Sequence, residues 1–345
     1  MEYQNPVQIK VEMAPSFTKA ALNKCLFITN EHKTDADGAV ASIKTFSSSE
    51  EVAKYFGNNS KIYEAIQLFL SQKTYPAKQP LIPDYFHVLS VKKTGATKQD
   101  VVDALNELGS TVEYYSIAHI LEPEVMTVGA LNAFCNEKRK IYFETTTTET
   151  ITDPEKSDRY IKFIDYSNEN KAIAYMATVI TPGAGSKSDM NILSGVTADV
   201  SGGKRVELAK VNINFAEKRT SKDYVLARMG VTTDSTDITE VTATDCIIYN
   251  LIDNIEIAMA EKGFKQDTRG YSLLETVISN VMGEMYQMGL IADLNGKAEF
   301  KILPINQTAA ERQLKVIRPR VIFRLADFTK TIELTLERTY GEVNK

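Results

Sequence analysis

Apolar and polar residues alternate with period two at both ends of the chain. Val7, Ile9, Val11 and Met13 are separated by Gln8, Lys10 and Glu12, and Ile332, Leu334 and Leu336 are separated by Glu333 and Thr335. This spacing predicts strands that bury one face only. Pro15-Ser16 sets the first strand apart from the body of the chain. Residues 23–29, with the apolar run Cys25-Leu26-Phe27-Ile28 at their centre, predict a continuous buried strand.

Helical spacing then takes over. Ser47-Ser48-Ser49 with Glu50 and Glu51 supplies capping hydroxyls and first-turn carboxylates for a helix carrying Val52, Tyr55 and Phe56, ended by Gly57. Ser60 caps a second helix, with Ile62, Ala65, Ile66, Phe69 and Leu70 on one face. Further on, the pattern predicts strands at 86–91, 112–117 and 140–143 and helices at 98–108 and 122–137, the alternation of an α/β layer with a largely parallel sheet. Residues 145–152 read as a loop. Gly, Ser, Thr and Asp dominate 181–204, where a domain boundary is expected. The 231–244 stretch is rich in Thr and Asp. Two late helices come next, one with the stripe Ile248, Leu251, Ile252, Ile255 and Met259 and a stop at Gly263, the other over 271–288 with a stop at Gly289. Strands are expected again at 298–303 and 314–325.

Composition narrows the classes. With 345 residues, 43% hydrophobic and 25% charged, the chain has enough material for two or three packed domains and none of the bias of disorder. A net charge of −5 argues against general nucleic-acid binding. The first six residues lack a signal peptide's charged and apolar regions, so synthesis in the cytoplasm is expected. No run approaches the roughly 20 apolar residues of a membrane span. Cys25, Cys135 and Cys246 lie far apart and read as reduced core thiols, not as a zinc site or disulfide frame.

Candidate chemistry is thin. The loop Pro182-Gly183-Ala184-Gly185-Ser186-Lys187-Ser188 has the composition of a phosphate cradle, but the two positions that need glycine hold Ser186 and Thr181, so it reads as a surface loop. Asp35-Ala36-Asp37-Gly38 resembles part of a calcium loop and lacks the remaining ligands. His32, His87 and His119 are isolated, with no nucleophile motif near them. Glu50/Glu51 and Asp234/Asp237 sit in capping or loop contexts. Neither a catalytic residue nor a cofactor or metal is assigned.

The stretch from Thr45 to Gly57 with Ser60 and its helix resembles the start of contractile tail sheath proteins. The turn at 183–188 with Leu193-Ser194-Gly195-Val196, then Asn212-Ile213-Asn214, then Arg269-Gly270-Tyr271 through Gly289-Leu290-Ile291, look like later sheath landmarks in the same order. The Tyr-rich stretch usual after the Asn region is reduced to Asn214-Phe215. The resemblance implies an α/β (α+β) multi-domain fold: an N-terminal β arm over 1–20, an outer α/β domain over 21–200, an inner assembly domain over 201–317 and a C-terminal β arm over 318–345. It implies hexameric rings stacked around a tail tube, with the tube, baseplate and tail terminator proteins as partners, in a virion tail made in the bacterial cytoplasm. The arms then add strands to neighbouring copies, and the expected interface residues are Val7, Ile9, Val11, Met13, Val321, Phe323, Leu325, Ile332, Leu334 and Leu336. A tube or baseplate component, and a nucleotide-dependent α/β enzyme using 183–188, stand as the alternatives.

Overall fold

A strand whose every residue is apolar or small needs cover on both faces, and β1 (Cys25–Thr29) has it. Cys25 and Phe27 pack into one core cluster while Leu26 and Ile28 pack into another. The computed structural model describes residues 22–33, 41–91, 97–108, 112–121, 128–147, 154–218, 222–326 and 328. Within them β1 lies inside a six-stranded sheet with β2 (Ser42–Phe46), β3 (Phe86–Ser90), β4 (Ser116–Ile120), β5 (Ile141–Thr146) and β6 (Tyr160–Ile164), in the order β2-β3-β1-β4-β5-β6. All neighbours run parallel except β2, which pairs antiparallel with β3 at one edge.

Helices cover both faces. α1 (Ser49–Phe56), α2 (Lys61–Leu70) and α5 (Lys171–Ile180) contribute to the cluster on the Phe27 side. α3 (Lys98–Leu108) and α4 (Val128–Lys138) contribute Val101, Leu105, Leu131 and Phe134 to the Leu26 side. Of Ser47, Ser48 and Ser49, Ser48 is the cap of α1, its side chain accepting from the Glu51 amide, and Ser60 caps α2 by accepting from Tyr63. All ten residues of α5 are buried, Lys171 included.

A second layer comes after it. β7 (Ile192–Leu193), α6 (Gly202–Lys210), β8 (Phe215–Lys218) and β9 (Val225–Arg228) form a three-stranded antiparallel sheet, ordered β7-β9-β8, with its helix. α7 (Ile238–Glu261) and α8 (Thr268–Gln287) pack as a pair, and β10 (Phe300–Leu303), α9 (Ala309–Gln313) and β11 (Arg320–Phe323) complete the described chain. The larger core cluster runs from Leu22 to Ile291 and takes residues from both sides of the boundary expected near 200.

Several expectations shift. The strand predicted at 112–117 is β4 at 116–120. α7 begins at Ile238, capped by Asp237 accepting from the Thr239 amide, inside the stretch rich in Thr and Asp that precedes the predicted helix. Thr239, Thr242 and Asp245 are buried there, so polar composition marks an interior polar contact and not a turn. The strand predicted at 314–325 is instead the end of the α9 turn, whose Thr308 and Glu311 form a capping box, and then the short β11. β2, β6, α5 and α6 have no counterpart among the elements that the hydrophobic pattern predicts.

Candidate assembly surface

The C-terminal elements build a two-stranded antiparallel sheet in which Phe300 faces Phe323, Lys301 faces Ile322, Ile302 faces Val321 and Leu303 faces Arg320. Alternation divides it into two faces. Phe300, Ile302, Val321 and Phe323 are half-buried against the main core. Lys301 and Arg320 are exposed on the other face beside half-buried Leu303 and Ile322. The chain leaving α8 anchors the pair: Ala292 N donates to Arg324 O at 2.9 Å, Ala326 N to Leu290 O at 3.0 Å, and Arg324 N to Glu299 O at 3.1 Å. Leu325 bridges to Ile291. Among the described residues β10 and β11 pair only with each other, so each keeps one strand edge without backbone partners.

Val321, Phe323 and Leu325, expected on an arm that starts at 318, therefore pair inside their own chain, Val321 with Ile302, Phe323 with Phe300 and Leu325 with Ile291. Val7, Ile9, Val11, Met13, Ile332, Leu334 and Leu336 lie outside the described residues, as does the Asp35–Gly38 turn. Phe300, Ile302, Lys301 and Arg320 complete the surface. The apolar alternation at 298–303 signals the first two, and nothing local in the sequence marks the two cations.

The family-like landmarks turn out to be closures that fix this surface on the α/β layer. The loop at 183–188 is packed against the start of α7: Gly185 N donates to Thr242 Oγ1 at 3.0 Å, Thr239 Oγ1 to Ser186 O at 3.1 Å, and Ser188 Oγ to Asp237 Oδ1 at 2.9 Å. Its glycine is explained by the φ of 71° at Gly185 and by Leu290 Cδ2, which lies 2.3 Å from where a Cβ would sit. Lys187 donates to the Met190 carbonyl at 3.2 Å. Asn214 extends the main sheet, pairing by backbone with Lys162 and Ile164, while its side chain donates to Val231 O at 2.7 Å and accepts from Val231 N at 3.2 Å. Gly270 opens α8 where a Cβ would lie 1.9 Å from Lys265 O. The Tyr271 hydroxyl donates to Gln307, tying α8 to the segment before α9.

A buried ionic knot joins α7 to the sheet. Asp245 is fully buried and accepts from Tyr115 at 2.7 Å, from Arg159 Nη2 at 3.0 Å and from Arg139 at 3.4 Å. Burial, aided by the adjacent Asp245 carboxylate, holds the Tyr115 hydroxyl well above its ordinary range. A second knot encloses Lys171 between Asp165 at 3.1 Å, Glu169 at 3.6 Å and Asp199 at 2.5 Å. Both are paired structural clusters that hold neighbouring segments together.

The remaining candidates are enclosed or engaged. Burial pushes the Cys25 and Cys135 thiols up to about 12, and Cys246 is buried as well. His32 contacts the Val91 carbonyl, and His87 lies between Thr45 and Glu113 O. His119 is pushed down to about 4 by burial. Lys140, pushed down to about 7 by burial, donates to the Tyr114 carbonyl and lies 4.5 Å above the Tyr114 ring. Glu51 is held low chiefly by the Ser47 amide, Asp234 closes a turn with Thr232 and Thr236, and Asp237 is the α7 cap.

This arrangement, a helix-covered α/β sheet extended through Asn214 and joined to a helix pair carrying a two-stranded sheet, is the fold of contractile sheath proteins. A chain from the contracted helical sheath of the anti-feeding prophage matches with a TM-score of 0.69 at 14% identity, over 98% of this chain and 100% of that one. A chain from the baseplate of the anti-feeding prophage matches at 0.68 and 16% identity, over 98% and 100%. A sheath tail protein from Listeria innocua matches at 0.54 and 9% identity, over 81% and 88%. No protein-family model matches the sequence, and neither does any curated protein.

Proposed function

We propose that the chain is a structural subunit of a contractile tail sheath, in a bacteriophage tail or a related contractile injection system. The observation that carries this reading is a sheath fold across nearly the whole chain, whose last described strands form a pair that, among the described residues, has no further strand at either edge. Subunits stack as hexameric rings around a tail tube, bounded by baseplate and tail terminator proteins, and contraction drives the tube through the host envelope. The role is structural, not catalytic, and its place is the particle tail.

A two-stranded sheet is marginal on its own and gains most from added strands. In this reading residues 7–13 and 331–337 of neighbouring copies supply them. Val7, Ile9, Val11, Met13, Ile332, Leu334 and Leu336 are the donated anchors, and Val321, Phe323 and Leu325 belong to the accepting side. Each donated hydrogen bond contributes about 0.5–1.5 kcal/mol net and each buried Val, Ile or Leu about 1.5–3 kcal/mol. Side-chain burial therefore contributes more than the backbone bonds do. Such links persist while the bodies repack, so contraction is a switch between two packings, the extended one metastable.

Deleting residues 1–13, or truncating after Ala326, should leave a folded monomer that forms no tubes in negative-stain micrographs. Tubes from either truncated protein would refute the reading. The baseplate match supports a second placement, at the base of the tail. Isolated rings in place of long cylinders would favour it.

A further inference from the structure

We propose that Asn295 is a site of spontaneous deamidation that the fold holds in check: the Asp293 carboxylate, steered by Tyr286, engages the one proton that the Gly296 nitrogen must lose before it attacks the Asn295 side chain. The inference is independent of the function proposed above. Asn295-Gly296 is the single Asn-Gly pair of the sequence. It forms the tip of a two-residue hairpin, and both residues are exposed. Leu294 N donates to Lys297 O at 2.8 Å, Lys297 N donates to Leu294 O at 3.2 Å, and Asp293 bridges antiparallel to Ala298. Positive φ at both tip residues, 55° at Asn295 and 78° at Gly296, is the mark of a type I′ turn.

The carboxylate of Asp293 is held from two sides. Gly296 N donates to its Oδ1 at 2.9 Å, and the Tyr286 hydroxyl of α8 donates to its Oδ2. These donors, the Tyr286 hydroxyl first and the Gly296 amide second, hold the Asp293 carboxyl below its usual range. It is therefore charged at neutral pH. With one donor on each oxygen, it is fixed against the Gly296 amide.

Deamidation of an Asn-Gly pair begins when the glycine nitrogen loses its proton and bonds to the asparagine Cγ. The bond from Cγ to the side-chain nitrogen then breaks, ammonia leaves and a five-membered succinimide remains. Water opens that ring at one carbonyl to give aspartate, or at the other to give isoaspartate. Here the proton that must leave is already bonded to a carboxylate, and the negative charge that develops on nitrogen lies 2.9 Å from a carboxylate oxygen. Repulsion at that distance slows ring closure about tenfold even at the dielectric constant of water. Isoaspartate at 295 would lead the backbone through the side chain and add a methylene to a turn built for two residues. The hairpin that carries the chain from Ile291 and Ala292 into β10 would then lose its register.

The test ages full-length protein, D293N, D293A and Y286F in mildly alkaline buffer. The mass gain of the tip peptide is followed over time, fragmentation assigning it to position 295, and melting curves show that each variant is folded. D293N keeps an acceptor oxygen and removes the charge, so it separates electrostatics from turn geometry. D293N and D293A should each deamidate at least about tenfold faster than the parent, with Y286F between them, and parent protein unfolded in urea should match or exceed the fast variants. D293N at the parental rate would overturn the inference. A slower D293N would do so too, because Asp293 would then be the base that removes the proton. Folded parent that deamidates as fast as the unfolded chain would show that the hairpin gives no protection.

Discussion

His119 lies on β4 with its ring stacked over Tyr142, the centroids 5.8 Å apart, and its Nδ1 accepts from Leu121 N. That acceptor role puts the neutral ring's proton on Nε2, which has no hydrogen-bond partner among the described residues. Burial lowers its pKa from 6.5 to about 4, so the folded chain favours the neutral ring. The associated stability is fully present above pH 6.5 and is lost as pH falls towards 4, where the unfolded chain binds a proton that the folded chain does not. The loss is about 3 kcal/mol. His119→Phe should flatten the part of the denaturation-midpoint profile that falls between pH 6.5 and 4. An unchanged slope in the variant would assign that acid sensitivity to other groups.

Elements differ in how far their sequences declare them. β1 is legible because two-sided burial requires an unbroken apolar run, and α1 and α2 because Ser48 and Ser60 are capping residues before amphipathic stripes. α5 is not, since a helix buried all round has no polar face to give it a period. The start of α7 is hidden for the opposite reason, its buried threonines and Asp245 being satisfied by partners distant in sequence. The assembly surface is half legible in the same sense: Phe300 and Ile302 alternate visibly, whereas the pairing of Val321 with Ile302 depends on the turn through α9. Gly270 looks locally like an ordinary helix residue, yet the Lys265 backbone crosses it. Gly270→Ala should displace the α8 N-terminus and cost about 2–4 kcal/mol, read as a lower denaturant midpoint. A loss below about 0.5 kcal/mol, within the range of ordinary surface changes, would show that Lys265 yields freely.

At the scale of the whole molecule, the α/β layer and the α7–α8 pair share one core and one ionic knot. Asp245 gathers Tyr115 from the start of β4, Arg139 from the end of α4 and Arg159 from the start of β6. Removing its carboxylate leaves Arg159 buried without a counter-charge, for which about 3–5 kcal/mol is expected. Asp245→Ala should therefore lower the melting temperature of the body as a single transition. Two separated transitions would mean that the halves on either side of residue 200 unfold independently.

The strand edges of β10 and β11 that have no partner among the described residues also bear on the single chain. Two free copies could zip together edge to edge and grow into disordered fibres, the usual fate of an uncovered strand. Lys301, Arg320 and Arg324 stand on one face of that strand pair, so like edges that approach each other bring cation against cation. The charge on that face thus opposes edge-to-edge growth between free copies.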